Sequence, residues 1–242
     1  MVNKENDKII KVNLGSGSRG IEGWINIDIG LKYYIYKFLP ILSILQKLGL
    51  ISQNTINWIR ETGRPPPSWV RHDIRKKLPF KDNSVDFVYM GEVIEHFYYY
   101  EAEKIVREIF RVLKPGGILR ITTPDIRKIS QAYLNREISA YEFNLFFYVE
   151  QNYRKPTFVE RFALKIYNTR YHCWLYDFES IRKLLEGAGF VNVVEWEPKK
   201  GKTPDLEVLE NYDEETFRFR KLSMYIDCLL YTSPSPRDRQ KY

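Results

Sequence analysis

A glycine pair follows the first short apolar segment of this chain, and an aspartate closes the second. Residues 12–18 read Val-Asn-Leu-Gly-Ser-Gly-Ser, and residues 24–28 read Trp-Ile-Asn-Ile-Asp. Glycines at a strand end let the backbone turn sharply towards a ligand, and an acid at the next strand end accepts hydrogen bonds from ribose hydroxyls. The pattern therefore predicts a doubly wound α/β domain that binds a nucleoside. The residues expected to line the site are Leu14, Gly15, Ser16, Gly17, Asp28 and Ile29.

Further apolar segments predict the rest of the sheet. The spacing of apolar residues predicts a helix at 101–112, and the Pro-Gly-Gly sequence at 115–117 ends it. The other predicted helices lie at 126–136 and 178–188, and the predicted strands lie at 12–14, 24–28, 85–90, 118–122, 190–196 and 222–227. Strand three is expected just after residue 68. The predicted fold class is α/β: a Rossmann-like three-layer α/β/α sandwich with a mostly parallel seven-stranded sheet.

The order of these motifs resembles that of the class I S-adenosylmethionine (AdoMet) methyltransferases. The resemblance is carried by the glycine loop, by Gly91 and Glu92 after strand four, and by the Leu-Lys-Pro-Gly-Gly sequence at 113–117. It covers about residues 11–196 and implies a single enzyme domain, residues 1–227, with AdoMet as its cofactor. It also implies that Asp73 lies beside the adenine amino group and that Ile74 contacts the ring. The alternative for Asp73 is a helix N-cap before Arg75.

The short spacing between the glycine loop and the acid points to a subgroup within this family. Asp28 lies 11 residues after Gly17, whereas about twenty residues are usual, so the first helix is expected to shrink to a turn at 19–23. Residues 13–28, the insert that follows, and residues 72–75 resemble a bacterial subgroup of predicted methyltransferases. That subgroup is often associated with cell-surface polysaccharide or glycolipid assembly. The implied acceptor is a hydroxyl of a sugar or glycolipid precursor.

Methyl transfer to an ordinary hydroxyl requires a base that takes its proton. His96 is the leading candidate, because histidine is neutral and basic near pH 7 and because it follows strand four, where the resemblance implies that the methyl group is presented. His172, Asp125 and Glu95 are further candidates. The alternative is that His96 only caps or packs the start of a helix.

Two carboxylates and two imidazoles indicate a second chemistry. Glu92, Glu95, His96 and His172 resemble the pattern of metal-using O-methyltransferases of small RNA ends and of the ubiquinone pathway. Such a set can hold Mg²⁺, which polarises a hydroxyl. A glutamate–histidine pair after strand four also occurs in methyltransferases without a metal, so no metal is expected, and the four-residue site is the alternative. A non-catalytic AdoMet-binding interaction module is a further alternative.

Two segments are expected to lie outside the sheet. The insert at 30–68 is predicted to form a helical lid; its apolar part, 33–50, is interrupted by lysines, broken by Pro40 and too short to span a membrane. Contact of 33–50 with a membrane surface is the alternative. Residues 126–176 are expected to form a variable acceptor-side region. Its aromatic residues at 141–153 either stack on a sugar or base or cover the end of the sheet.

Residues 228–242 resemble a translated sequencing adapter and are predicted to be a non-native tail, with a genuine Pro-rich tail as the alternative. The formal net charge of +7 is dispersed along the chain, which favours a solvated surface over nucleic-acid binding. The expected partner is a small-molecule or glycan acceptor. The two cysteines and the charged residues 1–11 favour a cytoplasmic protein, or one held peripherally at the inner membrane surface. No oligomeric state is predicted.

Overall fold

The fold is one seven-stranded sheet with helices packed against it. The computed structural model describes residues 9–17, 20–30, 36–50, 52–53, 56–57, 60, 65–147, 172–212 and 219–230. The strands are β1 (Lys11–Leu14), β2 (Ile25–Asp28), β3 (Trp69–Arg71), β4 (Val85–Gly91), β5 (Leu113–Pro124), β6 (Phe190–Trp196) and β7 (Ser223–Leu230). Their order is β3-β2-β1-β4-β5-β7-β6. The first five strands in this order, from β3 through β2, β1 and β4 to β5, are parallel to one another. β7 is antiparallel to its neighbours β5 and β6. The predicted fold class is confirmed.

Most of the described helices bury apolar residues. The helices are α1 (Leu39–Lys47), α2 (Tyr99–Val112), α3 (Ile126–Leu134), α4 (Ala140–Leu145), α5 (Phe178–Gly187) and α6 (Leu206–Leu209). In α2, Ala102, Ile105 and Ile109 are fully buried because their spacing places them on one helical face. They pack in the same cluster as Leu14 of β1 and Leu119 of β5.

A turn replaces the first helix, as the spacing between the glycine loop and Asp28 predicts. Residues 20–23 form this turn between β1 and β2. The buried side chain of Asn26 fixes it: its amide donates to the carbonyls of Ile21 at 2.9 Å and Pro67 at 2.7 Å, and its oxygen accepts from the Ile21 N–H at 3.2 Å. One buried amide therefore ties the turn to the chain that leads into β3.

Helix α1 lies in the segment predicted to form a lid, and the lid itself stays a prediction. Pro40 lies in its first turn instead of breaking it, because proline needs no N–H partner there. None of its residues is buried, and Ile41 and Ile44 are 56% and 59% exposed. Its apolar side therefore faces away from the described part of the domain. Among the described residues, no helix is long and apolar enough to cross a membrane.

Strand β7 extends beyond its predicted end. It continues through Cys228 and Leu230, which are buried, and Leu229 pairs with Ile118 of β5 and Val191 of β6. The extension follows from apolar residues that suit a strand. Residues 231–242 lie outside the described residues, so the adapter interpretation stays a prediction.

A buried ionic network attaches residues 197–212 to the sheet. Arg120 on β5 is fully buried and donates to Glu210 through Nε at 2.8 Å and Nη2 at 3.1 Å. Its Nη1 lies 3.4 Å from Oδ1 of Asp227 on β7. Asp227 also accepts from the backbone N–H of Lys202 at 2.6 Å and from the hydroxyl of Thr203 at 3.1 Å. Every charge in this network therefore has a partner of opposite sign or a hydrogen bond.

Candidate functional site

The glycine loop bends over the end of β2. The N–H groups of Gly15 and Ser16 both donate to the carbonyl of Ile27, at 2.8 and 3.1 Å. Gly15 has a φ of +68°, and a Cβ atom there would lie 2.5 Å from Cγ2 of Val93. A side chain at this position is therefore excluded by backbone conformation and by space. The loop requires glycine, as the sequence predicts.

Asp28 lies at the carboxyl edge of the sheet, where the parallel strands end. Its Oδ2 accepts the N–H of Gly17 at 3.0 Å, and its Oδ1 accepts the N–H of Gly30 at 2.7 Å. These two bonds fix the carboxylate between the glycine loop and the end of β2. Each oxygen keeps a further lone pair for a ligand hydroxyl. Ile29 is half-buried beside it.

Asp73 and Ile74 follow β3 at the same edge. The N-cap hypothesis for Asp73 is wrong, because a turn and not a helix follows it. Its two oxygens instead receive Nε and Nη2 of Arg75 at 2.9 and 2.8 Å, which holds the pKa of Asp73 below its usual value. Ile74 is buried in the main core. Both residues lie in line with Asp28 along the edge, and their contact with adenine stays a prediction.

A cavity of about 250 Å³ lies between the ends of β1 and β4. It is lined by Asn13, Gly15, Ser16, Gly17, Tyr89, Gly91, Glu92, Leu209, Tyr212 and Arg220. Glu92 has a φ of +55°, and its Oε1 accepts the hydroxyl of Thr122 at 3.3 Å. Its Oε2 forms an ion pair with Arg220. The cavity thus joins the glycine loop to the turn after β4. A larger hollow, of about 630 Å³, lies between α3 and α4 and contains none of the predicted site residues.

The lining of the cavity fits a polar part of AdoMet. The hydroxyl of Ser16 is buried and has no hydrogen-bond partner among the described residues, so a polar group of a ligand would satisfy it. Gly17 has a φ of +51° and open space where a Cβ would be, which leaves room for close approach of a ligand. Leu14 is buried beneath the loop. These residues would hold the cofactor together with Asp28.

Two histidines and a glutamate meet next to the cavity. Single ligand atoms of Glu95, His96 and His172 lie within 4.8 Å of one another. The rings of His96 and His172 are 4.9 Å apart at an angle of 73°, and Oε1 of Glu95 lies 4.0 Å from Nε2 of His172. The backbone N–H groups of Cys173 and Trp174 donate to the carbonyl of Glu95, at 2.7 and 3.2 Å. These bonds bring the distant His172 to the end of β4.

Burial determines the charge of this cluster. It lowers the pKa of His172 to about 4, and the neighbouring His96 acts in the same direction. Nδ1 of His172 lies 2.5 Å from the carbonyl of Phe146, so Nδ1 carries the proton and Nε2 keeps its lone pair. Burial also raises the pKa of the Glu95 carboxyl well above its usual value, and the charge of Glu92 adds to this. Oε1 of Glu95 has no hydrogen-bond partner among the described residues.

The remaining predicted residues have structural contacts. Asp125 caps α3, since its carboxylate accepts the N–H of Arg127 at 2.9 Å, and burial raises its pKa. Glu92 is paired with Arg220 and is not part of the histidine cluster, so the four-residue metal site is reduced to three residues. Of the aromatic region, Phe146 is buried in a small cluster against Phe219; residues 148–171 lie outside the described part. That contact agrees with a covering role.

Five residues of the cavity wall were not predicted from the sequence: Asn13, Tyr89, Leu209, Tyr212 and Arg220. Arg220 precedes β7, whose first residue, Ser223, pairs with Pro124 at the end of β5. Because β7 is antiparallel, its start lies at the carboxyl edge where the parallel strands end. The sequence feature that could have identified Arg220 is its position two residues before the predicted strand at 222–227.

Comparison with known proteins matches these features to methyltransferases. Residues 50–121 match the sequence model of a family described as a methyltransferase domain. A probable S-adenosylmethionine-dependent methyltransferase of Mycolicibacterium smegmatis is 42% identical over 62 residues, which cover 26% of this chain and 23% of that protein. The ubiquinone/menaquinone biosynthesis C-methyltransferase UbiE of Klebsiella pneumoniae is 31% identical over 119 residues, covering 48% and 43%. The matches thus span less than half of each of these relatives.

A solved structure shows the same fold over nearly the whole chain. The crystal structure of a SAM-dependent methyltransferase from Methanosarcina mazei is 19% identical, with a TM-score of 0.50. The likeness covers 94% of this chain and 94% of that one. By sequence, parts of this chain are therefore similar to S-adenosylmethionine-dependent methyltransferases, and the solved structure shares its fold.

Proposed function

We propose that this chain transfers a methyl group from AdoMet to a hydroxyl of a sugar or glycolipid precursor. The observation that carries the proposal is the position of two sites at one edge of the sheet. The cavity reaches Glu92 after β4, and the cluster of Glu95, His96 and His172 begins three residues further along. A potential base therefore lies beside the site that would present the methyl group.

The residues of the cluster have separate roles in this proposal. The bound cofactor supplies an electrophilic methyl group, and the transfer depends on holding the acceptor oxygen close and in line. His96 takes the proton of the acceptor hydroxyl. His172 has a pKa of about 4 and is a weak base, so it stays neutral near pH 7 and orients the ring of His96. Burial raises the pKa of the Glu95 carboxyl and so disfavours its charged form.

The exposed side of α1 favours an acceptor at a membrane surface. Phe38, Ile41 and Ile44 are each more than half exposed, and Lys37 and Lys47 lie at either end of the helix. Apolar side chains flanked by lysines suit the boundary between lipid and anionic headgroups. A lipid-linked sugar would be presented at that boundary, so the proposed site of action is the cytoplasmic face of a membrane.

The histidine cluster also favours a second function, a divalent-metal-assisted O-methyltransferase of RNA or of a quinone-like ring. Glu95, His96 and His172 offer one carboxylate and two imidazoles within 4.8 Å. The unpaired Oε1 of Glu95 and the free lone pair on Nε2 of His172 fit ligation of a metal, which would polarise an acceptor hydroxyl. The name of the relative UbiE refers to ubiquinone and menaquinone biosynthesis, and it describes that protein as a C-methyltransferase, which methylates carbon and not oxygen.

Labelled AdoMet offered with different acceptors distinguishes these functions. The acceptors are an isoprenoid-linked sugar, a soluble nucleotide sugar, a quinol and a small RNA, each with Mg²⁺ or with EDTA. We expect transfer to the sugars without Mg²⁺, and more transfer to the lipid-linked sugar. Replacing Ile41 and Ile44 by serine should remove that advantage and leave transfer to the soluble sugar unchanged. Mg²⁺-dependent transfer to RNA or quinol alone would establish the second function, and AdoMet binding without any transfer would indicate a binding module.

Asp28→Ala tests the nucleoside site. The substitution removes the carboxylate expected to accept the ribose hydroxyls, so AdoMet affinity should fall by about 1.5–3 kcal/mol, or roughly 10- to 100-fold. Isothermal titration of the folded variant measures the change. Glu186→Ala, an exposed acid on α5, is the control and should bind as the wild type does. Unchanged affinity in Asp28→Ala would remove Asp28 from the site.

A further inference from the structure

The ion pair between Glu92 and Arg220 lies in the wall of the cavity. Arg220 carries the single positive charge and Glu92 the single negative charge among the described residues that line it. Their side chains are 24% and 10% exposed. Placing two charges here costs solvation, and only their pairing and neighbouring polar groups offset that cost. Such a pair in a ligand cavity suggests a function beyond holding the fold together.

Both partners are held from the protein side. Oε1 of Glu92 accepts the hydroxyl of Thr122, and its N–H donates to the carbonyl of Thr122 at 2.8 Å. The carbonyl of Arg220 accepts the hydroxyl of Tyr225 at 3.0 Å, and its guanidinium lies 5.1 Å from the ring centre of Tyr212. The two charges thus stay at the cavity wall even if their direct contact is broken.

The strained backbone of Glu92 supports a role in binding. Its φ of +55° lies in the left-handed region, which a residue with a side chain seldom adopts. The conformation points the carboxylate of Glu92 to the cavity, where it lines the wall beside Gly91. Strain of this kind persists where the surrounding structure requires it, as in ligand sites.

We propose that Glu92 and Arg220 together bind the zwitterionic amino-acid end of AdoMet, with Arg220 receiving the carboxylate and Glu92 the ammonium group. The inference rests on the proposed function. With the nucleoside at Asp28, the amino-acid end would occupy the cavity that the glycine loop shares with this pair. A guanidinium binds a carboxylate through two parallel hydrogen bonds, which an ammonium group cannot do. The ligand exchanges one ion pair for two, so the charged cavity selects a ligand with both charges.

Three nucleosides test the assignment by calorimetric titration. AdoMet has both charges of the amino acid, decarboxylated AdoMet lacks the carboxylate, and 5′-methylthioadenosine lacks the amino acid altogether. The wild type should prefer AdoMet over decarboxylated AdoMet by about 10-fold or more. In Arg220→Met that preference should vanish, with AdoMet weakened about 10- to 100-fold and 5′-methylthioadenosine unaffected. Lys221→Met, the exposed neighbour, should retain the wild-type preference.

The outcomes separate the inference from the function on which it rests. A wild type that binds none of the three nucleosides contradicts the proposed function. If the wild type binds AdoMet and Arg220→Met retains the preference for it, the assignment of Arg220 alone is wrong. Equal loss of all three ligands would show that Arg220 maintains the cavity shape and would also overturn the assignment. If Arg220→Met does not fold, Arg220→Lys must weaken AdoMet more than 5′-methylthioadenosine, since a lysine cannot make the paired bonds.

Discussion

Replacing His96 by alanine is expected to lower the turnover of methyl transfer by about 10²-fold or more and to leave AdoMet binding largely intact. The imidazole lies beside His172 and Glu95 and does not line the cavity that would hold the cofactor. Its removal therefore takes away the base without disturbing the nucleoside site. Steady-state rates with an identified acceptor and AdoMet titration measure the two effects separately.

The pH dependence distinguishes a base from a packing residue. In the wild type, turnover should fall as the pH is lowered, because a protonated base cannot accept the acceptor proton, and this fall should be absent in His96→Ala. Tyr100→Ala, an exposed change in the first turn of α2, controls for local disturbance. A wild-type rate in His96→Ala would show that the histidine only packs. Loss of activity with EDTA and recovery with Mg²⁺ would favour the metal-assisted mechanism.

Arg120→Met is expected to destabilise the fold by about 3–5 kcal/mol. Arg120 is fully buried between Glu210 and Asp227, at 2.8 and 3.4 Å. Methionine fills a similar volume but leaves two buried carboxylates without their cation. Burial already raises the pKa of Glu210, and Arg120 opposes that rise. Urea unfolding should therefore show a large loss of stability near neutral pH.

The loss of stability caused by Arg120→Met should become smaller as the pH falls. Without Arg120, burial raises the pKa of Glu210 further, and its protonation removes an uncompensated charge, so the variant recovers part of the difference from the wild type in acid. Arg182→Met is the control: its pairing with Glu179 is between side chains 44% and 59% exposed, and such surface pairs contribute about 0–1 kcal/mol. A deficit no larger than that of the control would mean that the buried network contributes little to stability.

The features that the sequence predicted correctly are mostly local. The glycine loop, the turn at 20–23 and strands β4 and β6 follow from patterns within about ten residues, where spacing and turn chemistry act directly. The position of Asp28 follows for the same reason. The ion pair of Asp73 with Arg75 is also local, since only Ile74 separates the partners, but it was not predicted. The helix cap that the sequence allowed as an alternative is wrong, and the adenine contact stays a prediction.

The features that could not be predicted from the sequence depend on how distant segments of the chain pack together. Arg220 reaches the cavity only because β7 runs antiparallel beside β5. His172 reaches Glu95 because the backbone N–H groups of Cys173 and Trp174 donate to the Glu95 carbonyl, 78 and 79 positions earlier in the chain. The apolar pattern of α1 predicts an amphipathic helix equally well whether its apolar side covers the domain or faces outwards. Pattern alone therefore identified candidate residues without determining their neighbours.

The position of β7 makes completion of the sheet a condition for ligand binding. Among the described strands, β7 comes last along the chain, yet it lies between β5 and β6, and β6 pairs with no other described strand. During synthesis, β6 emerges before the strand with which it pairs. Contacts between distant segments form late because closing long loops costs entropy. Arg220 enters the cavity just before β7, so a folding chain gains its ligand site and its last strand in the same step.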